Sequence, residues 1–537
     1  MTTFSDTRPA YHRSAALDDR AMAATSHPLA TQAALDALRA GGNAVDAALA
    51  ASAVLAVVEP HMTGIGGDCF ALIAEPDGNL RALNGSGRSG RLADVEIARA
   101  RSLAGSRIPE HHGLAVTVPG AVRAWADLAP LGRRGLAAAL APAIDIARDG
   151  FRVTQWVARD WALLVDRLRQ DEHARAQYLI ADQAPGFGDR IALPSLARTL
   201  EVIAREGADA FYQGEIAADI VAAVEAAGGV LDLEDLAHHR SEWVEPLSRE
   251  YRGRRVVEMP PANQGLTALV LMGILERFDL SALDPTGADK FHLEVEAARL
   301  AYAERDATLA DPTAMQEPAD AFLEAARLDR LASQIDPARA GGRAPAARVD
   351  TDTVYLTVVD EDGRAVSFIN SLFTGFGSGI CTASGVMLQS RGAGFVLDAD
   401  HPNALGPQKR PLHTLIPGLL FDGDRLEASF GVMGGQYQAC GHAHLLTNLL
   451  DHGLDPQAAL DAPRVFFEGP QTVLEPGVAA AVRADLAGRG HDLQLPNRPL
   501  GGGQVIRVDH ARGVLLGGSD SRKDGLALGL GAALAQT

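Results

Sequence analysis

A threonine that opens a β-strand directly after a linker can serve as an N-terminal nucleophile, and Thr353 stands in that position. The preceding stretch, Asp336 to Asp352 (DPARAGGRAPAARVDTD), has no apolar periodicity and reads as a flexible, exposed segment. Such a segment can bend so that the Thr353 hydroxyl attacks the carbonyl of Asp352. Once that peptide is cut, the freed α-amine lies beside the same hydroxyl as its base. Threonine is also an ordinary strand residue, so the pattern gains weight only from its surroundings. Other patterns carry less chemistry. Gly64-Ile65-Gly66-Gly67-Asp68 invites comparison with a dinucleotide loop, but that motif follows a strand and opens a helix, whereas here the order is helix, loop, strand. His442 and His444 are two residues apart on a helical stretch, and His111-His112 and His238-His239 are adjacent, so their side chains diverge and no metal site is expected.

The elements around these residues follow from periodicity and punctuation. A helix is predicted from about Leu29 to Arg39, a stop at Gly41-Gly42-Asn43, then a more apolar helix ended by Pro60. The glycine loop leads into a strand at Cys69 to Ala74, a turn at Asp77-Gly78-Asn79 and a second arm at Leu80 to Asn84. Residues from about Ala121 to Met315 carry Ala/Leu/Glu/Arg helical patterns, so the middle is expected to be mostly helical. At Thr353 the texture changes. Thr353 to Asp360, the turn Glu361-Asp362-Gly363 and Ala365 to Ser371 predict a β-hairpin rich in β-branched and aromatic residues.

Length and charge narrow the class. The chain has 537 residues, enough for a large core, and its 68 acidic and 49 basic residues give a net charge of -19. That field repels phosphate backbones and anionic membranes, so a small-molecule partner is expected, with neither nucleic acid nor membrane. The most apolar stretch, Ala44 to Val58, is interrupted by Asp46 and is shorter than the roughly 20 residues of a membrane helix. Cys69, Cys381 and Cys440 are too few and too scattered for a disulfide framework, and the polar N-terminus lacks a signal-peptide core, which together point to the cytoplasm.

Ordered motifs along nearly the whole chain resemble the γ-glutamyltransferase family of N-terminal nucleophile hydrolases. They include HPLATQAALDALRAGGNAVDAALA, PHMTGIGGD, TVPGAVRAW, MPPANQGLTAL, HLEVEAARLAYAERD, DTVYLTVVDEDG, KRPLHTLIP and GVMGGQ. The resemblance implies an α/β fold, a four-layer αββα sandwich, made of residues 1–352 and 353–537 as two cleaved chains of one interlocked domain, with a dimer of such heterodimers left open. It implies Thr353 as nucleophile and α-amine base, Asp352-Thr353 as the processing site, Gly434 and Gly435 as the oxyanion hole, and Ser371 as support for the nucleophile. No cofactor or metal is implied. His413 and Thr414 occupy the place where the transferases usually carry two serines near the substrate.

The departures bear on the substrate. Where the transferases hold a glutamate α-carboxylate with the arginine of a D-F-R-E stretch, this sequence reads Asn84-Gly-Ser-Gly-Arg88, which moves the arginine two residues on. Where they bind the α-amino group, it has Phe373, Arg391 and Ala393, leaving no acidic partner for an ammonium at those positions. NGSGR, SLFTGFGSGI and HPNALGPQKRPLHTLIP are similar to the branch that contains oxamate amidohydrolase. The expected activity is therefore hydrolysis of a small carboxylate-bearing amide such as oxamate, to oxalate and ammonia, with Arg88 or Arg391 holding the carboxylate. The rival expectations are a γ-glutamyltransferase or glutathione hydrolase, a glutaryl-type acylase, and an unprocessed binding protein.

Overall fold

Asn43 starts the apolar helix Ala44–Val58 with a capping box: its side chain accepts from Val45 and Asp46 N–H, and Asp46 accepts from the Asn43 N–H in return. Every residue of this helix is buried. It has no polar face because it lies between the helices Pro28–Arg39 and Gly135–Asp149 and the strands of a sheet. The computed structural model describes residues 13–531 apart from 102, 104, 105, 343, 344 and 346–352. Asp352 and Thr351 lie outside these residues, whereas Thr353 is within them.

Among the described residues two seven-stranded antiparallel sheets form the centre. One runs from edge to edge through Leu526–Gly529, Met22–Thr25, Val354–Val359, Ala365–Ser371, Asp68–Ala74, Leu80–Gly85 and Glu242–Val244. The other runs through Ala16–Asp18, Val514–Ser519, Gly502–Asp509, Arg425–Met433, Gly418–Asp422, Arg254–Glu258 and Leu247–Tyr251. The sheets pack face to face. A side chain at Gly431 would sit 2.4 Å from the Tyr355 ring, so glycine is what lets the layers approach there. Across the same interface the Thr357 hydroxyl bonds that of Ser429 at 2.6 Å.

Helices cover both outer faces. Ala44–Val58 lies over the first sheet, and the wholly buried Gly265–Leu275 with Gln438–Leu450 lies over the second. The architecture is an αββα sandwich. Both sheets take strands from before and after residue 353.

The expected hairpin forms as Val354–Val359 paired with Ala365–Ser371. The middle is mostly helical, as expected, and within it Glu242–Val244, Leu247–Tyr251 and Arg254–Glu258 form strands. Arg254–Glu258 pairs with Gly418–Asp422, a long-range partner that helical periodicity in the flanking sequence does not reveal.

Candidate active site

Strand register gathers the first residues. Val354 faces Asn370, and Ser371 faces Asp68, so Thr353, Ser371 and Asp68 stand at the same end of three neighbouring strands. Thr353 is buried, and its hydroxyl donates to Ser371 Oγ at 3.3 Å. Gln438 Nε2 donates to Thr353 Oγ1 at 3.4 Å, and the Ile416 N–H bonds Gln438 Oε1, which turns the amide donor toward the threonine. Ser371 Oγ also accepts the Phe373 N–H at 2.8 Å.

Gly434 and Gly435 follow the strand Arg425–Met433 with φ of +126° and +54°, a conformation that favours residues without Cβ. Their turn is braced from a distant helix. Gln264 Nε2 donates to the Gly435 carbonyl at 3.0 Å, while Arg305 bonds the side-chain oxygens of Gln264 and Gln436. The Gln438 that reaches Thr353 opens the helix leaving this turn.

A second group is built around a buried cation. Arg391 is wholly buried; its Nη1 donates to Thr414 Oγ1 at 3.1 Å and its guanidinium lies 4.3 Å from the Phe373 ring centre. Its Nε and Nη2 have no hydrogen-bond partner among the described residues. The nearest anion is Asp68, with Oδ2 3.9 Å from Nε. Burial pulls the arginine down to about 9, and Asp68 opposes that shift. Phe373 holds φ of +85°, a strained backbone for an aromatic residue, between Ser371, which its N–H bonds, and Arg391, which lies over its ring.

His413, expected near the substrate, has a buried carboxylate partner. Its Nε2 lies 3.0 Å from Asp68 Oδ2, and its Nδ1 accepts the Leu415 N–H at 3.3 Å, so the hydrogen sits on Nε2 and the ring is neutral. Burial, with the Arg391 charge, pushes it down to about 3. Arg88, the other expected carboxylate anchor, is held by partners of its own. Its guanidinium bonds Asp311 Oδ2 at 3.1 Å, Glu242 Oε1 at 3.0 Å and the Gln408 carbonyl. What reaches Asp68 from that segment is the backbone N–H of Gly87.

The family model described as Gamma-glutamyltranspeptidase matches residues 30–530. The chain belongs to the γ-glutamyltranspeptidase family. It is similar to a glutathione hydrolase-like YwrD proenzyme of Bacillus subtilis, 36% identical over 95% of this chain and 98% of that one. An oxamate amidohydrolase proenzyme of Klebsiella pneumoniae is also 36% identical, over 95% of this chain and 98% of the relative. Among solved structures, a cephalosporin acylase from Bacillus halodurans superposes with a TM-score of 0.91 at 40% identity, covering 98% of this chain and 99% of that one. This γ-glutamyltranspeptidase family member is thus a hydrolase of the N-terminal nucleophile type.

Two residues of this family member escape sequence reasoning. Asp68 is read as the end of a glycine loop, and its one signal is a carboxylate directly after Gly66-Gly67 at the start of a buried strand. Gln438 lies three residues past the glycine pair and has no motif of its own. His442 and His444 are buried against Glu258 and Glu294. Among the described residues of this γ-glutamyltranspeptidase homologue no group of three or more metal-binding side chains occurs, and no helix is long and apolar enough to cross a membrane.

Proposed function

We propose that the chain cuts itself between Asp352 and Thr353 and then hydrolyses a small amide that carries a carboxylate beside its carbonyl, with oxamate as the representative substrate. The observation that carries this reading is Arg391: a buried guanidinium with two nitrogens that have no hydrogen-bond partner among the described residues, stacked on the residue bonded to the proposed nucleophile's supporting hydroxyl. A guanidinium fork matches a carboxylate through paired hydrogen bonds, and Thr414 stands ready as a further contact. The carboxylate of Asp68 does not offer an ammonium site, because its oxygens already receive Gly87, Gln389 and His413. That argues against γ-glutamyl amino acids.

In the proposed reaction the Thr353 α-amine, whose reference pKa is about 7.7 to 8.0, takes the hydroxyl proton as Oγ1 attacks the amide carbonyl. The N–H groups of Gly434 and Gly435 receive the oxyanion, and Gln438 and Ser371 orient the hydroxyl. The amine proton passes to the leaving nitrogen, which departs as ammonia. Water then cleaves the Thr353 ester and releases the dicarboxylate. The proposal keeps the enzyme in the cytoplasm as two cleaved chains.

A glutaryl-type acylase is the second reading, favoured by the likeness to the cephalosporin acylase structure. Purified protein is to be assayed for ammonia from oxamate and for amine from glutaryl and γ-glutamyl anilides. Turnover of oxamate with inert γ-glutamyl anilide supports the proposal. Efficient use of either anilide with inert oxamate overturns it.

A further inference from the structure

Asp68 is fully buried, and its side-chain contacts beyond Gly87 run to the two segments that carry the proposed carboxylate receptor. Its Oδ1 accepts from Gly87 N–H at 3.0 Å and from Gln389 Nε2 at 3.0 Å. Gln389 lies two residues before Arg391. Its Oδ2 accepts from His413 Nε2 at 3.0 Å, one residue before Thr414, and faces Arg391 Nε at 3.9 Å. One carboxylate therefore grips both the segment that presents the arginine and the segment that presents the threonine.

The cradle around it is sterically committed. A Cβ on Gly87 would lie 1.6 Å from the Val118 carbonyl oxygen, and one on Gly120 would lie 1.8 Å from the Gly85 carbonyl oxygen and 3.2 Å from Asp68 Oδ1. Glycines at these positions let the main chain close over the carboxylate and deliver an N–H to it. Charge adds to the geometry. A buried guanidinium without a counter-ion is strongly unfavourable, and Asp68 is the carboxylate that faces Arg391.

We infer that Asp68 is the positioning residue of the receptor, holding Arg391 directly and through Gln389, and Thr414 through the neutral ring of His413. The inference rests on the proposal that Arg391 and Thr414 receive the substrate carboxylate. Asp68 does not touch the reacting atoms in this scheme. Its removal loosens carboxylate binding and leaves the bond-making step at Thr353 nearly intact.

The test compares Asp68→Asn, Arg391→Gln and the double variant with the wild type. The readouts are self-cleavage, kcat and KM for oxamate, and calorimetric binding of oxalate. Asp68→Asn should still be processed, raise KM and the oxalate Kd about tenfold or more and change kcat little, a split that general loss of structure does not produce. In the double variant the Asp68 effect should largely vanish, because the partner through which it acts is gone. Unaltered oxalate affinity in Asp68→Asn, or effects that multiply fully in the double variant, overturn the inference. If Asp68→Asn does not fold, His413→Phe cuts the same link from the other side, and unchanged oxalate affinity there overturns it equally. A wild type that neither binds oxalate nor hydrolyses oxamate defeats the functional proposal itself, whereas a wild type that binds oxalate beside an indifferent Asp68→Asn defeats only the role of Asp68.

Discussion

The hydroxyl of Thr353 lies 3.3 Å from that of Ser371, although 18 residues of hairpin separate them. Antiparallel register produces this meeting: with Val354 opposite Asn370, the residues just beyond that pair end on the same edge of the sheet. Because Ser371 also accepts the Phe373 N–H, Thr353 is tied to the turn under Arg391.

Cleavage before Thr353 should convert the 56.4 kDa chain into fragments of roughly 37 and 19 kDa, the smaller beginning with Thr353. Thr353→Ala should run as one uncut band without amidase activity. Denaturing electrophoresis with N-terminal sequencing checks both. A single wild-type band accompanied by amide hydrolysis defeats the mechanism.

Ser371→Ala removes the acceptor shared by Thr353 and Phe373. Leaving a buried N–H unpaired costs about 1 to 3 kcal/mol, so slower self-cleavage and a kcat lower by about one to two decades are expected. Time courses of processing after expression, together with steady-state kinetics, read the effect. Wild-type rates in both would remove Ser371 from the mechanism.

Arg391→Gln should raise KM for oxamate by about one to two decades, the worth of about 1.5 to 3 kcal/mol for a charge-assisted contact. Steady-state kinetics with oxamate and calorimetric binding of oxalate read the effect, and an unchanged KM contradicts the assignment.

Arg88→Lys and Arg88→Ala are expected to leave KM for oxamate within about twofold of wild type. The side chain is 35% exposed and engaged by Asp311 and Glu242, and partly exposed ion pairs contribute about 0 to 1 kcal/mol. Melting temperature therefore drops slightly while kinetics hold. A large rise in KM would return Arg88 to the site.

Glu59 gives a stability prediction away from the chemistry. Burial raises its carboxyl to about 7, against smaller opposing effects of the Ser26 hydroxyl and the Lys523 charge, with Asp524 and Asp160 adding to the rise. Below about 4.5 the folded and unfolded chains both carry the proton. Between about 4.5 and 7 only the folded chain keeps it, so this group lowers stability as pH rises, by an amount on the order of 3 kcal/mol. Glu59→Gln retains an acceptor for Ser26 and has no such dependence. Denaturant titrations should find the variant similar to wild type near pH 4.5 and more stable at pH 8; equal stability at both defeats the prediction.

Caps, periodicity and turn chemistry act within a few residues, which is why the helices at Pro28–Arg39 and Ala44–Val58 and the hairpin that starts at Thr353 are legible from the sequence by itself. The ordered motifs also carry the family and its sandwich. The strands at 242–258 are not legible in that way, because their partners come from distant parts of the chain. The same limit applies to charge. Sequence leaves both Arg88 and Arg391 open as carboxylate anchors; tertiary structure gives them different surroundings by bringing Glu242 and Asp311, 154 and 223 residues away, onto Arg88. It likewise converts Asp68 from the end of a glycine loop into the carboxylate that binds His413, 345 residues later. An ionised group's role depends on which opposite charge and how much water surround it, and both are set by packing between segments that have no relation in the linear chain.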